Sequence, residues 1–438
     1  MLSRRLSYAQ APDWEMIRAW QEERRQTDSS IEEGVRSILS DVRQSGDAAL
    51  SEYSRRFDCP DFDISRIKAT PDDMKLAAES VEPYDLEVIA EAAGNIRSYH
   101  DKQREQSWIA TDSPDILLGQ LIKPVQRAGL YVPGGQSGET PLVSSLLMTA
   151  IPAQAAGVGS LHAVTPPRRD GTINPYTLAA AWTIGLDNVY ALGSAWAVAA
   201  LAYGTESIPR VDMIAGPGNI YVTTAKRLLV GQVGIDMIAG PSEIVILADR
   251  SADPEWLAAD LLSQAEHDPL SSAVLISDQE SLLECTEEAL GRQIAELPRS
   301  DLAEQAIRDW GALIQVPDLA TGIELIDRLA PEHLELCLAN PWDHVWSISN
   351  AGAIFLGHFS PEPVGDYFAG PNHVLPTVAT ARFSSPLSVQ DFYTRSSLLA
   401  AEPGYLRRHG QKIARLARLE GLEAHARSTE HRMKGNEP

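Results

Sequence analysis

Five groups of residues in this chain have the types and spacing that chemistry requires. In Gln264-Ala265-Glu266-His267-Asp268-Pro269, Gln264 and His267 are three apart at the end of a helical stretch. They share a face and reach one point in space. Imidazole nitrogen is a common zinc ligand and an amide oxygen an uncommon one; a helix-end His capping carbonyls is the plainer reading. Glu332-His333 follows Pro331 and offers two proton acceptors of different basicity to one reaction centre. An exposed helix start would use the same residues. Pro363-Val364-Gly365-Asp366-Tyr367 runs into Ala369-Gly370-Pro371-Asn372-His373, a Gly/Pro-rich loop with Asp366 and His373 seven apart. Such loops after strands carry ligand contacts in α/β proteins, and also serve as plain connections. Gly216-Pro217-Gly218-Asn219 ends a predicted strand, where glycine permits close approach of backbone to a phosphate or simply a tight turn. Glu420 and His425 are five apart, about 140° around a helix, which reads as a charged surface.

The elements that must position these residues follow from apolar periodicity. The first 110 residues are helical and highly charged, with Ser30 and Glu33 as a capping box and Ile31, Val35, Ile38 and Val42 at helical spacing. From Ala128 onward, short apolar runs end in Gly/Pro turns and alternate with helical stretches: 128–132, 161–165, 188–192 and 211–215 read as strands, and 144–156 as a small-residue helix. This is βαβ rhythm and predicts a parallel sheet covered by helices. It resumes with strands at 244–248 and 273–277, and one or two more within 345–356. Asp253 and Pro254 read as N-cap and first-turn proline of a helix running to about His267. Two α/β units meeting near Gly240-Pro241 are expected. After Asp391 the chain reads as helical again, with Ile413, Leu416, Leu419 and Leu422 as an apolar stripe, and beyond Arg427 as a loose tail.

Composition limits the classes. At 438 residues the chain exceeds what one hydrophobic core supports, so at least two domains are expected. A formal net charge of −23 disfavours nucleic acid or an anionic membrane surface as a partner. Cys59, Cys285 and Cys337 are far apart, odd in number and without a CxxC pair, so reduced thiols rather than disulfides or a thiolate zinc site are expected. The N-terminal stretch has no apolar core of a signal peptide, and no apolar run is long enough to span a bilayer. A soluble, cytoplasmic protein is expected. Neither GxGxxG nor a P-loop is present, so any dinucleotide binds without the usual fingerprint.

The order of segments resembles the histidinol dehydrogenase family from about residue 30 to 428. The carrying stretches are Arg-Ala-Gly-Leu-Tyr-Val-Pro-Gly-Gly at 127–135, Ala-Gly-Pro-Gly-Asn-Ile-Tyr-Val-Thr at 215–223 and Gly-Ile-Asp-Met-Ile-Ala-Gly-Pro-Ser-Glu at 234–243. Ser-Gln-Ala-Glu-His-Asp-Pro at 263–269, Ala-Pro-Glu-His-Leu-Glu at 330–335 and Gly-Asp-Tyr-Phe-Ala-Gly-Pro-Asn-His-Val-Leu-Pro-Thr at 365–377 follow. Arg382 to Ser385, Glu420-Gly421-Leu422 and His425 close the series.

The resemblance implies two Rossmann-like α/β units with parallel sheets flanked by helices, helical N- and C-terminal extensions, and a domain-swapped homodimer with shared active sites. The divisions it suggests are a helical arm at 1–28, a discontinuous domain at 29–130 plus 243–380, a second at 131–242, and a segment at 381–438 docking on the partner subunit. It implies one zinc per subunit held by Gln264, His267, Asp366 and His425, the last from the other subunit. It places substrate contacts at Ser242, Gln264, His267, His333, Asp366, His373, Glu420 and His425, and NAD contacts at Tyr131 and Asn219. Glu332 and His333 are the implied acid/base pair, with L-histidinol oxidised through the aldehyde to L-histidine by two NAD. His333 takes the hydroxyl proton, Glu332 activates water, and His333 serves again as base, a role that suits imidazole.

Two departures fall near the cofactor. Where the family reads Gly-Gly-Ala-Gln, this chain has Gly193-Ser194-Ala195-Trp196, and Trp196 cannot accept a hydrogen bond as Gln can. Its ring can stack on the nicotinamide or the adenine instead. The loop Gln136-Ser137-Gly138-Glu139-Thr140 is also longer than the family's. Rival readings are a paralogue oxidising another polar alcohol such as a sulfonated diol, a non-catalytic zinc-binding dimer, and a nucleotide-binding module without zinc.

Overall fold

A computed structural model describes residues 3–24, 29–135 and 138–434. Its contacts divide the chain into two units, one of residues 1–103 and 126–392 and one of 104–125 and 393–438.

In the first unit, the short runs of Val, Ile, Leu and Ala become two parallel sheets. The smaller has five strands in the order Val189–Ala191, Ser160–Thr165, Arg127–Tyr131, Met213–Ala215 and Gly234–Ile235, each parallel to its neighbours. The larger has six, in the order Arg4–Ser7, Gly311–Gln315, Ser272–Ser277, Glu243–Ala248, His333–Cys337 and Ala353–Leu356. Their central strands are buried along their whole length, which explains why they read as continuous apolar runs rather than alternating ones. The small-residue helices Val143–Ala156 and Ser194–Tyr203 are buried on nearly every face. Alanine there lets helix and sheet approach closely.

Local chemistry sets the helix ends. Asp253 accepts a hydrogen bond from the Glu255 amide and Pro254 opens the Pro254–Ala265 helix, as the sequence predicts. That helix stops at Ala265, so His267 lies just beyond its end rather than on it. The helix predicted to start at Ser30 starts one residue earlier, over Ser29–Ser45, which puts Ser30 within the first turn. The N-terminal arm is helical over Ala11–Glu23 and also supplies the edge strand Arg4–Ser7.

The second unit is a three-stranded antiparallel sheet, ordered Tyr393–Ala401, Ile116–Pro124, Trp108–Ser113, with the helices Pro403–Leu419 and Glu423–Lys434. The first of these strands replaces the helix expected after Asp391. Its residues are mostly exposed, so no buried face imprints an alternating pattern on the sequence. The expected loose tail beyond Arg427 is helical to Lys434. Of the lengthened loop after Gly135, Gln136 and Ser137 lie outside the described residues. No helix among the described residues is long and apolar enough to cross a membrane.

The Gly216-Pro217-Gly218 turn is the tightest backbone approach in the first unit. Gly216 has φ of +121°, and a Cβ there would lie 2.1 Å from the Tyr131 carbonyl oxygen. Its amide donates to Asp236 (2.8 Å) and its carbonyl accepts from Lys226 (2.9 Å), which is itself ion-paired with Asp236 in the core. Gly216→Ala should therefore cost about 2–5 kcal/mol of stability through clash and strain. Urea denaturation of the variant checks this, and a loss well under about 1 kcal/mol would show that the turn tolerates a side chain.

Candidate active site

One cavity of the first unit, 290 Å³ in volume, gathers most of the predicted residues. It opens beyond the carboxyl ends of the small sheet, where Pro133 follows Arg127–Tyr131 and Gly218 and Asn219 follow Met213–Ala215. On its other side are the amino ends of two large-sheet strands, with Ser242 before Glu243–Ala248, and Glu332 and His333 at the start of His333–Cys337. The small sheet thus follows the rule that α/β sheets bind ligands beyond their carboxyl ends, and the large sheet does not. Cavities of 560 and 520 Å³ elsewhere are larger. Neither gathers unpartnered buried side chains as this one does.

Gln264, in the last turn of its helix, is 1% exposed, and neither its amide oxygen nor its amide nitrogen has a partner. An orphaned buried amide costs stability unless something binds it. His267 follows the helix C-cap, its amide donating to the Gln264 carbonyl (3.3 Å), so both side chains line the same cavity. Asp366 is presented by the π-helical turn Val364–Ala369. Its carboxylate lies 3.6 Å from His333 Nε2. His373 follows in the same loop, and its Nε2 is buried and unpartnered.

Glu332 and His333 are buried, contrary to an exposed helix start. The Glu243 backbone holds both. Its amide donates to Glu332 Oε2 (2.9 Å), and its carbonyl oxygen lies 3.2 Å from His333 Nδ1. With the proton on Nδ1, that carbonyl accepts it and Nε2 is left as a base facing Asp366. Burial pushes the Glu332 carboxyl up to about 8, against the pull of His333 and of the Glu243 amide. Burial opposes charging of His333, but Glu332, Asp366 and Glu362 outweigh it and raise its pKa well above the ordinary imidazole value. Asp366 is held low despite its burial, by His333, His373 and His267. His373 is lowered by burial.

Sequence reasoning missed Glu362. It stands between two prolines, is almost wholly buried, and brings a carboxylate oxygen within 4.8 Å of ligand atoms of both His333 and Asp366. Its amide donates to Glu335 (2.8 Å), and burial raises its own carboxyl. The Pro-Glu-Pro sequence was its one signal, since flanking prolines fix a residue's backbone.

The predicted cofactor residues divide. Asn219 lines the cavity, and its side-chain oxygen caps the Ile220–Leu229 helix through the Tyr221 and Val222 amides. Tyr131 is buried at the end of its strand, with its hydroxyl accepting from the Ser194 amide (3.0 Å). Trp196 is not presented for stacking on a ligand. It is 4% exposed, its ring stacks 5.7 Å from both Tyr53 and Phe57, and its Nε1 has no partner. The indole ring fills that apolar cluster with its N–H left unpartnered. Glu420 and His425 belong to the second unit, where Glu420 is the exposed C-cap of Pro403–Leu419 and His425 is exposed in the first turn of Glu423–Lys434.

The family model described as histidinol dehydrogenase matches residues 21–433. The chain is 57% identical to the histidinol dehydrogenase of Oleidesulfovibrio alaskensis, across 99% of this chain and 100% of that one. It is 49% identical to the histidinol dehydrogenase of Bacillus subtilis across 95% of each. The crystal structure of histidinol dehydrogenase from Elizabethkingia anophelis matches with a TM-score of 0.91 at 34% identity, covering 99% of this chain and 98% of that chain. By sequence and by structure, the chain belongs to the histidinol dehydrogenase family.

Proposed function

We propose that this chain oxidises L-histidinol through the aldehyde to L-histidine with two NAD, as a zinc-dependent oxidoreductase of histidine biosynthesis. The observation that carries the proposal is the buried Glu332-His333 pair facing a cavity that also holds the orphaned amide of Gln264. Full-length relatives named histidinol dehydrogenase favour histidinol over a sulfonated diol. An intact, desolvated acid/base pair speaks against a zinc-binding dimer without catalysis.

The donor set fits zinc. Gln264, His267 and Asp366 would hold it, with His425 supplied by a second copy of the chain. Two neutral imidazoles, a neutral amide and one carboxylate leave a bound zinc with net positive charge to fix and polarise the alcohol. Two NAD molecules, bound one after the other, would each take up one hydride. This chain's residues do the rest. His373 and Ser242 line the wall against which the substrate is oriented. His333 Nε2 removes the hydroxyl proton in the first oxidation. Glu332 takes a proton from water as it hydrates the aldehyde, and His333, after passing its first proton to solvent, takes the hydrate's proton in the second. Tyr131 and Asn219 are proposed for the dinucleotide, whereas Trp196 is enclosed by Tyr53 and Phe57.

A homodimer sharing its sites is part of the same proposal. It is supported by apolar side chains left exposed on the second unit, among them Trp108, Ile109, Leu399, Leu416 and Leu419. In such a dimer Glu420 and His425 complete the partner's site. Of the division into 29–130 plus 243–380, 131–242 and 381–438, the separation of 243–380 from 131–242 accords with the two parallel sheets, whereas Ile116–Pro124 pairs with Tyr393–Ala401 and Arg127–Tyr131 with the small sheet, both across its boundaries. A cytoplasmic location accords with the free thiols.

Purified protein given zinc, NAD and L-histidinol should form two NADH per histidinol, with histidine as product. One equivalent, or activity only on another alcohol, would replace histidinol as substrate; no redox activity with any alcohol would remove the enzyme reading. Because Glu332 is pushed up to about 8, it is protonated at lower pH and cannot take the proton from water. Turnover should therefore rise with pH through an acid limb near about 8, above the range of an ordinary carboxylate or imidazole. A pH-rate profile already flat at pH values of about 6 would contradict that environment.

A further inference from the structure

Glu243 joins two parts of the molecule through different atoms. Its backbone amide and carbonyl hold Glu332 and His333. Its carboxylate is clamped from two other directions. Oε2 accepts from Nη2 of Arg24, the C-cap residue of the Ala11–Glu23 helix, in an ion pair that is buried on both sides. Oε1 accepts from the Val378 amide at 3.0 Å. Val378 and Ala379 have φ of +55° and +59°. A β-branched residue there is an outlier that persists only where its surroundings hold it. Thr377, one residue earlier, lines the active cavity and accepts from the Gly240 amide. The catalytic pair, the strained cavity wall and the N-terminal helix therefore meet at one residue.

We infer that Glu243 and Arg24 are positioning residues for the acid/base pair: their ion pair fixes the first peptide groups of the Glu243–Ala248 strand, which hold the Glu332 carboxylate and orient the His333 ring. The inference rests on the proposed roles of Glu332 and His333. Groups that fix a base's orientation from behind act on turnover rather than on substrate binding, because they touch neither the substrate nor the metal. Loosening Glu243 lets the His333 ring and the Glu332 carboxylate drift, and small misplacement of a base is costly. Lysine at position 24 keeps the charge as a single point and recovers part of the clamp.

The test measures kcat and KM per zinc-loaded subunit for Arg24→Met, Arg24→Lys and Glu243→Gln, with His333→Asn as control. Arg24→Met should lose about ten- to a hundredfold in kcat, with KM for histidinol and zinc content within about twofold of the parent. Arg24→Lys should recover most of that loss. If Arg24→Met does not fold, Glu243→Gln keeps the side-chain shape and the Val378 acceptor and should show the same kcat loss. Parental kcat per loaded subunit in either folded variant, or a loss confined to KM, overturns the inference. Undiminished turnover in His333→Asn instead fails the acid/base assignment on which it rests.

Discussion

Glu332, Glu362 and Asp366 converge on His333 in a space largely closed to water. Like charges in such a place cannot all stay ionised without a cation among them. The protein resolves this only in part. His333 offsets some of the charge, Glu332 and Glu362 are driven toward their neutral forms, and Asp366 alone is held ionised. Gln264 lines the same cavity, and its amide has no partner at all. A site with an ionised carboxylate, the His267 imidazole and an orphaned amide oxygen on one cavity has the donors a metal cation uses.

The fold supplies this arrangement by using opposite ends of its two sheets. The carboxyl ends of the small sheet present the Gly216-Pro217-Gly218 turn and Asn219, while the amino ends of the large sheet present Ser242, Glu332 and His333. His333 therefore stands at the first position of a strand with Glu332 just before it, and the Glu243 backbone contacts both. Loops and helix ends bring the groups assigned to the metal: Gln264 at the close of a helix, His267 beyond it, and Asp366 on a π-helical turn. Wide turns of that kind recur at functional sites.

Much of the first unit was legible because its strands are buried on both faces and bounded by Gly and Pro. Asp253 and Pro254 announced their helix through side-chain chemistry alone. The strand Tyr393–Ala401 was not legible, since an exposed antiparallel strand has no buried face to write a pattern. Nor was the burial of Glu332-His333, because the residues before and after it suit a helix start equally well; residue type marked the pair, and the order of family segments favoured its functional reading. Glu243 and Glu362 escaped for a different reason. Their importance lies in backbone groups and in burial, and neither leaves a mark on residue type. Trp196 shows the converse: family order identified the position, while the aromatic neighbours that receive the ring, Tyr53 and Phe57, come from a distant helix.

A second cluster of potential ligands, Asp260, Glu335 and Cys337, lies in the same unit with its donor atoms within 4.8 Å of one another. It has the thiol and carboxylates a metal could use, but burial drives the Cys337 thiol far above its usual range and raises both carboxyls. The two clusters make opposite demands on a single experiment. Anomalous diffraction at the zinc edge, from crystals grown with zinc, should place the metal about 2.0–2.2 Å from Gln264, His267 and Asp366. Zinc on Asp260, Glu335 and Cys337, or on His333 and Glu362 with Gln264 left unbound, would contradict the account.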